Sequence, residues 1–192
     1  MKSTNIVIVG VGGQGTLLAS RVLGALAIRM GWDVKVSEVH GMSQRGGSVI
    51  TYVRVGENVA SPMVDAGEAD FVLAFEKLEA LRALPYLKKG GTLFTNTQEI
   101  NPMPVITGDA VYPENALAQL KEKCASCVAF DALALAEKVG EARAVNLVLL
   151  GALSNRMDAN EEAWLGAIAD CVPEKIRNVN LAAFREGRAV KS

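Results

Sequence analysis

Short apolar runs alternate with longer segments of helical periodicity along this chain. The run Asn5–Val9 has the length of a strand buried on both faces. Apolar residues then recur at helical spacing over Gln14–Met30, and Gly31 lies where a C-terminal cap is expected. Further strands are predicted at Asp33–Ser37, Ser48–Val55, Asp70–Phe75, Gly91–Asn96 and Ser126–Phe130, with a proline-broken edge candidate at Pro102–Thr107. Further helices are predicted at Glu76–Leu84, Pro113–Lys123, Ala132–Val139, Ala144–Arg156 and Glu161–Cys171, and from Pro173 or a later residue to Arg185.

The link between the second and third predicted strands is too short to hold a crossover helix. It consists of a glycine-rich stretch that ends at Gly47, so the strand Ser48–Val55 is expected to run antiparallel to its neighbour. The remaining order of strand and helix favours a parallel sheet covered on both faces. We therefore predict an α/β fold: a three-layer α/β/α sandwich with a Rossmann-like, mainly parallel but mixed sheet and a helical C-terminal end. Residues 1–192 are expected to form a single domain.

Composition excludes several classes of function. The formal net charge of −1 gives no basic field for nucleic acid. No apolar run approaches the roughly 20 residues of a membrane span. Three cysteines cannot form a complete disulfide framework, and the N-terminus carries no signal-peptide pattern, so a cytoplasmic protein without nucleic-acid or membrane partners is expected.

The first glycine-rich loop, Gly10-Val11-Gly12-Gly13-Gln14-Gly15, follows a predicted strand and opens a predicted helix. Gly10, Gly12 and Gly15 match the G-x-G-x-x-G spacing of dinucleotide-binding turns, in which backbone N–H groups approach a phosphate at a helix N-terminus. Gly13 adds a further small residue, and the side chains of Gln14 and Thr16 can add hydrogen bonds to a phosphate or to a neighbouring chain. The same turn also occurs where it serves packing alone.

The second loop, Glu38 to Gly47, carries a carboxylate, the only histidine of the chain and an arginine. Glu38 occupies the place of the acid that binds a ribose, about 20 residues beyond the first loop, which keeps an NAD or FAD site open. The following residues, with Arg45 and several glycines, would crowd an adenosine pocket. In an extended chain Glu38 and His40 share a face, so the carboxylate can orient the imidazole, while the Arg45 guanidinium suits a carboxylate or a phosphate.

The three cysteines leave metal chemistry poorly supported. Cys124 and Cys127 have the spacing of a redox or metal half-site, but only Cys171 remains to complete it. Buried structural thiols are the favoured interpretation. A four-iron cluster takes four thiolates, so any electron-carrying cluster must belong to a partner.

The two loops together resemble the gamma subunit or domain of 2-oxoacid:ferredoxin oxidoreductases, and most of all the small (beta) subunit of indolepyruvate oxidoreductases. The resemblance runs through almost the whole chain and includes two helical segments, Asn146–Gly151 and Asn180–Gly187. It implies oxidative decarboxylation of an aryl 2-oxoacid, such as indolepyruvate, to an acyl-CoA, with electrons leaving through iron–sulfur clusters to ferredoxin.

The same resemblance implies that this chain does not act alone. Thiamine sites in such enzymes use a Gly-Asp-Gly motif with a later asparagine pair around Mg²⁺, whereas this chain has only Gly108-Asp109-Ala110. Thiamine diphosphate, Mg²⁺ and the Fe-S clusters are therefore expected on a larger alpha subunit. Glu38, His40 and Arg45 are expected to support the partner's active site, where His40 and Arg45 would neutralise the substrate carboxylate or CoA phosphates. The first loop, Gly10–Thr16, would be an anion site or part of the contact between subunits.

Two other classes of function remain open at this point. A free-standing NAD- or flavin-dependent oxidoreductase would bind nucleotide or be yellow when pure. A non-catalytic interaction module would have an empty glycine turn and a partner whose activity does not need this chain.

Overall fold

The computed structural model describes residues 3–40 and 47–191, with His40 described in its backbone only. The strands are β1 (Thr4–Val11), β2 (Asp33–His40), β3 (Ser48–Gly56), β4 (Ala69–Ala74), β5 (Leu87–Asn96) and β6 (Ser126–Phe130). The helices are α1 (Thr16–Arg29), α2 (Lys77–Ala83), α3 (Met103–Ile106), α4 (Ala116–Lys123), α5 (Ala132–Lys138), α6 (Val145–Ser154), α7 (Glu161–Cys171) and α8 (Glu174–Arg188). Short 3₁₀ turns cover Leu84–Tyr86 and Ala142–Ala144.

The strands form one mixed sheet in the order β2-β3-β1-β4-β5-β6. β3 runs antiparallel to both of its neighbours, and the pairs β1/β4, β4/β5 and β5/β6 are parallel. The predicted antiparallel third strand and mixed sheet are thus confirmed. Because β2 and β1 both pair antiparallel with β3, their C-terminal ends lie at the same edge as those of β4, β5 and β6.

Helices cover both faces of the sheet, as the predicted three-layer sandwich requires. The alternation along β1 sends Ile6 and Ile8 into a core shared with α1, α5, α6, α7 and α8. Val7 and Val9 point the other way, into a smaller core with α2 and α4. All ten residues of α6 are buried, so the C-terminal helices surround this helix rather than form a separate unit.

One predicted element is wrong. The proline-broken edge candidate Pro102–Thr107 is not a strand but contains the single helical turn α3. Pro104 has no N–H to donate to a ladder, and the carbonyl oxygen of Pro102 accepts from the N–H groups of Val105 and Ile106 at 2.9 and 3.1 Å. Gly31, expected as a cap, directly follows the C-capping Met30 of α1 and adopts φ +68°, which suits glycine.

Within the described residues no helix has the length and apolar character needed to cross a membrane.

Candidate functional site

The first glycine loop joins β1 to α1, as predicted, and two of its glycines have left-handed backbones. Gly13 has φ +101°, and Gly15, the residue that precedes α1, has φ +86°. A side chain at either position would be strained. The loop therefore makes the sharp turn that its sequence demands.

The side chain of Gln14 closes this loop from inside. Its Oε1 accepts a hydrogen bond from the N–H of Val11 at 2.7 Å, and its Nε2 donates to the carbonyl oxygen of Phe75 at 3.1 Å. A Cβ added to Gly10 would lie only 3.0 Å from the same Oε1. The N–H of Gln14 in turn donates to the carbonyl oxygen of Val11. The N–H groups of Val11 and Gln14 are thus bound within the loop itself.

The two glycine-rich loops meet at one edge of the sheet. The N–H of Gly12 donates to the carbonyl oxygen of Gly47, at 2.9 Å. This contact continues the antiparallel pairing of β1 and β3, whose last pair is Val11 with Ser48. On its other side β1 pairs with β4, and the chain continues from β1 into α1 on one face and from β4 into α2 on the other. Open α/β sheets keep their ligand crevices at such a switch point.

The ends of the second loop are held by two carboxylates. Glu38, on β2, lies opposite Thr51 of β3 and accepts a hydrogen bond from the Thr51 hydroxyl at 3.0 Å. Ser48 donates through Oγ to Oε2 of Glu79 at 2.5 Å. Glu79 is buried and also binds the guanidinium of Arg82. The backbone on both sides of the loop is therefore tied to the sheet and to α2.

Two of the predicted catalytic residues cannot be compared with the structure in full. His40 pairs with Val49 through the β2/β3 ladder, but its side chain lies outside the described residues, as do residues 41–46 with Arg45. Their roles stay predictions. Glu38, predicted to orient the imidazole, is described and bonds to Thr51.

A cavity of about 430 Å³ lies beside the first loop. Its lining comes from the first loop, the start of α1, the second residue after β5, α5, the turn before α6, the start of α6, and α8. The lining residues are Gly13, Gln14, Gly15, Leu18, Gln98, Leu133, Glu141, Ala142, Arg143, Ala144, Val145, Asn146, Ile176 and Asn180.

This cavity includes three of the residues predicted at the first loop and omits others. Gly13, Gln14 and Gly15 line it, while Gly10, Gly12 and Thr16 do not. Thr16 is buried, and its methyl group packs against Gly10, so that a Cβ added to Gly10 would lie 3.2 Å away. Glu38 is likewise outside the lining. The cavity therefore includes part of the predicted phosphate turn but not the predicted ribose acid.

Comparison with known proteins identifies the family. The model of the family described as pyruvate ferredoxin/flavodoxin oxidoreductase matches residues 5–190. The chain belongs to this family. It is 48% identical over 192 residues to the indolepyruvate oxidoreductase subunit IorB of Thermococcus kodakarensis, covering 97% of this chain and 95% of that protein. The IorB subunit of Pyrococcus horikoshii is 47% identical over 194 residues, with the same coverage of both chains.

Solved structures have the same fold. The gamma subunit of a keto/oxoacid ferredoxin oxidoreductase from Geobacter sulfurreducens has a TM-score of 0.71 at 26% identity, over 96% of this chain and 95% of that chain. The 2-oxoglutarate:ferredoxin oxidoreductase of Magnetococcus marinus has a TM-score of 0.73 at 21% identity, over 99% of this chain but only 31% of that one. The predicted resemblance and the predicted fold are both confirmed.

Sequence analysis did not foresee that this family member forms the cavity from residues far apart in the chain. Gly15 and Asn146 touch so closely that a Cβ on Gly15 would lie 2.5 Å from the amide nitrogen of Asn146. Asn146 and Asn180 begin the two helical segments in which the family resemblance was noted. That resemblance was the available signal, because it linked both segments to the two glycine-rich loops.

A second cluster that sequence analysis missed surrounds Glu76, the second residue after β4. Its buried carboxylate accepts from the N–H groups of Leu78 and Glu79, which caps α2, and from the hydroxyl of Tyr112. Burial raises the pKa of Tyr112, and the hydrogen bond to Glu76 raises it further. With these partners the carboxylate is satisfied, so the cluster stabilises the carboxyl end of β4 rather than supplying a reactive group.

Burial raises the pKa of all three cysteine thiols. Cys124 is buried, and burial raises the pKa of its thiol to about 11. Burial also raises the pKa of Cys127 and Cys171. Such thiols are protonated at neutral pH, whereas a nucleophile or metal ligand must be a thiolate. This finding supports the predicted role as structural thiols.

Proposed function

We propose that this chain is the small subunit of a thiamine-dependent 2-oxoacid:ferredoxin oxidoreductase that converts an aryl 2-oxoacid of the indolepyruvate type to an acyl-CoA. The observation that carries the proposal is the identity of 48% with a protein named as an indolepyruvate oxidoreductase subunit, over almost the full length of both chains. The more distant pyruvate/ketoisovalerate subunit of Thermococcus litoralis, at 26% identity, supports the reaction class but not the aryl substrate.

The cofactors belong to a larger partner subunit in this proposal. Three cysteines cannot supply the four thiolates of an Fe-S cluster, and Cys124 is kept protonated by burial. Gly108-Asp109-Ala110 lacks the residues of a thiamine motif, and Gly108 lies in the turn after α3. The chain's donor set therefore does not fit thiamine diphosphate, Mg²⁺ or a cluster. The partner would hold them and pass electrons to ferredoxin.

The contribution of this chain would come from the edge where the two glycine loops meet. Glu38, Ser48 and Gly47 are fixed there by Thr51, Glu79 and Gly12 respectively. The loop between them carries His40 and Arg45, which would neutralise the substrate carboxylate or the phosphates of CoA. The family neighbour from Magnetococcus marinus was solved with coenzyme A bound, and in that protein the matching domain is part of a longer chain.

Reconstitution tests the proposal. The chain would be purified alone and together with the large subunit from the same organism, and reduction of ferredoxin would be followed with indolepyruvate and CoA. We expect no turnover from either subunit alone and turnover from the mixture. Turnover by this chain alone, or a large subunit that is fully active without it, would refute the proposal.

Variants within the complex test the role of the second loop. Arg45→Ala should lower kcat/KM for the oxoacid or for CoA by about tenfold or more, as expected for loss of one charge-assisted hydrogen bond. Arg156→Ala is the matched control, because Arg156 is exposed at the end of α6, away from the loops. Equal kinetics for the two variants, with intact assembly, would remove Arg45 from the site.

A further inference from the structure

A long connection between β5 and α4 leaves the carboxyl edge of the sheet and carries exposed apolar side chains. Residues 97–115, here the β5–α4 segment, contain only the single helical turn α3. Met103, Ile106 and Val111 in this segment are 61%, 64% and 86% exposed. Of the nine large apolar side chains exposed in the described part of the chain, these three lie within nine consecutive positions. Ordered connections of this length are uncommon in compact domains and usually serve a function.

The segment folds back on itself, which brings its exposed apolar side chains together. Met103 and Ile106 are three positions apart in α3, so they lie on the same side of that turn. The N–H of Ala110 then donates to the carbonyl oxygen of Pro104 at 2.9 Å, which places Val111 beside the turn. We call Met103, Ile106 and Val111 the apolar patch.

The chain around the apolar patch has almost no charge. Asp109 is the only charged residue among positions 100–113. Its carboxylate accepts a hydrogen bond from the hydroxyl of Thr107 at 2.7 Å, within the segment itself. Depletion of charged residues around exposed apolar side chains, with methionine among them, is typical of the core of a protein–protein interface. The segment therefore has the composition of a surface that another protein covers.

Both ends of the segment are held by the buried carboxylate of Glu76. Its Oε1 accepts from the N–H of Ile100 at 3.3 Å and from the hydroxyl of Tyr112. Lys77 donates to the carboxylate of Glu99 at 2.8 Å, and its Nζ lies 5.6 Å from the centre of the Tyr112 ring. The apolar patch thus projects between two fixed points. A surface that is ordered before binding loses less conformational entropy on association.

Hydrogen bonds join the segment to both glycine-rich loops. Gln14 of the first loop donates through Nε2 to Oε1 of Gln98, at the start of the segment, at 3.3 Å. Glu79 accepts from the hydroxyl of Ser48, at the end of the second loop, and donates its own N–H to Glu76 at 3.0 Å. The segment and the two loops therefore form one continuous region at the carboxyl edge of the sheet.

We propose that the apolar patch docks into an apolar recess of the large subunit, an inference that rests on the proposed function for the existence of that partner. The proposed function directs the edge with the two glycine loops toward the large subunit, and the patch is continuous with this edge. A second copy of this chain seated on the patch would compete with the large subunit for the same edge. The large subunit is therefore the occupant, and the patch supplies the apolar core of the contact.

Ile106→Asp and Val111→Asp test the inference in binding measurements between the purified chain and the large subunit from the same organism. Each should raise the Kd by about tenfold or more, because a carboxylate would be buried without a partner. Ile28→Asp is the matched control and should bind as the wild type does. Ile28 is 74% exposed and lies in the last turn of α1, at the opposite edge of the sheet. Circular dichroism should show that all three variants fold, since each replaced side chain is exposed.

Oxidation of methionine provides a second measurement that needs no variant. Hydrogen peroxide should convert Met103 to the sulfoxide about tenfold or more slowly in the complex than in the free chain, as followed by mass spectrometry. Met63 is the internal control, because it is 49% exposed and precedes β4 at the opposite edge of the sheet. Its rate of oxidation should be the same in the free chain and in the complex.

The outcomes separate this inference from the proposed function. The inference is overturned if both aspartate variants bind the large subunit as tightly as the wild type, or if Met103 oxidises equally fast in the complex. Reduction of ferredoxin by the wild-type complex would then show that the proposed function still stands. A large subunit that does not bind the wild type would overturn both. Loss of self-association in the variants, with unchanged affinity for the large subunit, would assign the patch to a second copy and overturn the inference alone.

Discussion

A Cβ atom placed on Gly187 of α8 would lie 1.9 Å from the carbonyl oxygen of Val148 in α6. The same contact is made from the other side, since a Cβ on Gly151 would lie 2.1 Å from the carbonyl oxygen of Phe184. The two helices therefore touch backbone to backbone, and only glycine fits at the crossing. Because α6 is wholly buried, this crossing fixes how the C-terminal helices close over the sheet.

We therefore expect Gly187→Ala to destabilise the protein. The methyl group would force α8 away from α6, at a cost of about 2 kcal/mol or more in the free energy of unfolding, measured by urea denaturation. Gly24→Ala in α1 is the control, since nothing lies within 4 Å of the added Cβ. That variant should be as stable as the wild type or slightly more stable. Equal stability of both variants would mean that the helices are not held at this crossing.

The sequence predicted the strands and helices well because each depends on local periodicity. The bounds Ser126–Phe130 and Glu161–Cys171 agree with the structure. The antiparallel direction of β3 was predicted correctly because the segment between β2 and β3 is too short to hold a crossover helix. The exception, Pro102–Thr107, failed because an apolar run of that length suits a strand or a helical turn equally, and prolines at positions 102 and 104 decide for the turn.

The site was less predictable, because its contacts join distant parts of the chain. Gln14 was predicted to bind a phosphate or a neighbouring chain, whereas its amide bonds to Phe75, 61 residues away. The cavity depends on Gly15, Asn146 and Asn180, which come together only after α6 and α8 have packed. Spacing along a sequence reports neighbours on one element, not the partners that tertiary packing brings to it.

Glu76→Ala should destabilise the protein strongly. The change removes the N-terminal cap of α2 and leaves the hydroxyl of Tyr112 without its buried acceptor, at a combined cost of about 2–4 kcal/mol. Thermal denaturation followed by circular dichroism measures the loss. Glu114→Ala removes an exposed carboxylate from the same region and should change stability by less than about 0.5 kcal/mol. A small effect of Glu76→Ala would show that the cluster contributes little.

Cys124 should react slowly with alkylating reagents in the folded protein. With its pKa raised from 9.0 to about 11, the thiolate fraction at pH 8 falls from about one-tenth to about one-thousandth, so alkylation should be about 100-fold slower than in the unfolded chain. The rate should rise about tenfold for each pH unit up to pH 11. Mass spectrometry after timed treatment with iodoacetamide, with and without urea, measures both effects. Native and unfolded rates that agree would contradict the assigned burial.

Gln14→Leu tests whether the first glycine loop is closed by its own side chain. The substitution leaves the buried N–H of Val11 without its hydrogen bond and removes one of two donors to the carbonyl oxygen of Phe75, which keeps its bond from Asn96 at 3.3 Å, so the loss should be about 1–2 kcal/mol in urea denaturation. Gln119→Leu is the control, because Gln119 makes one exposed bond to Asn115 and should lose less than about 0.5 kcal/mol. If the loop instead served as an open phosphate cradle, Gln14 would contribute no more to stability than Gln119, and inorganic phosphate would raise the Tm of the wild type. A Tm raised by phosphate would indicate that the loop binds anions. A large loss in the free energy of unfolding for Gln14→Leu, with no effect of phosphate on the Tm, would instead show that the loop is closed by its own side chain.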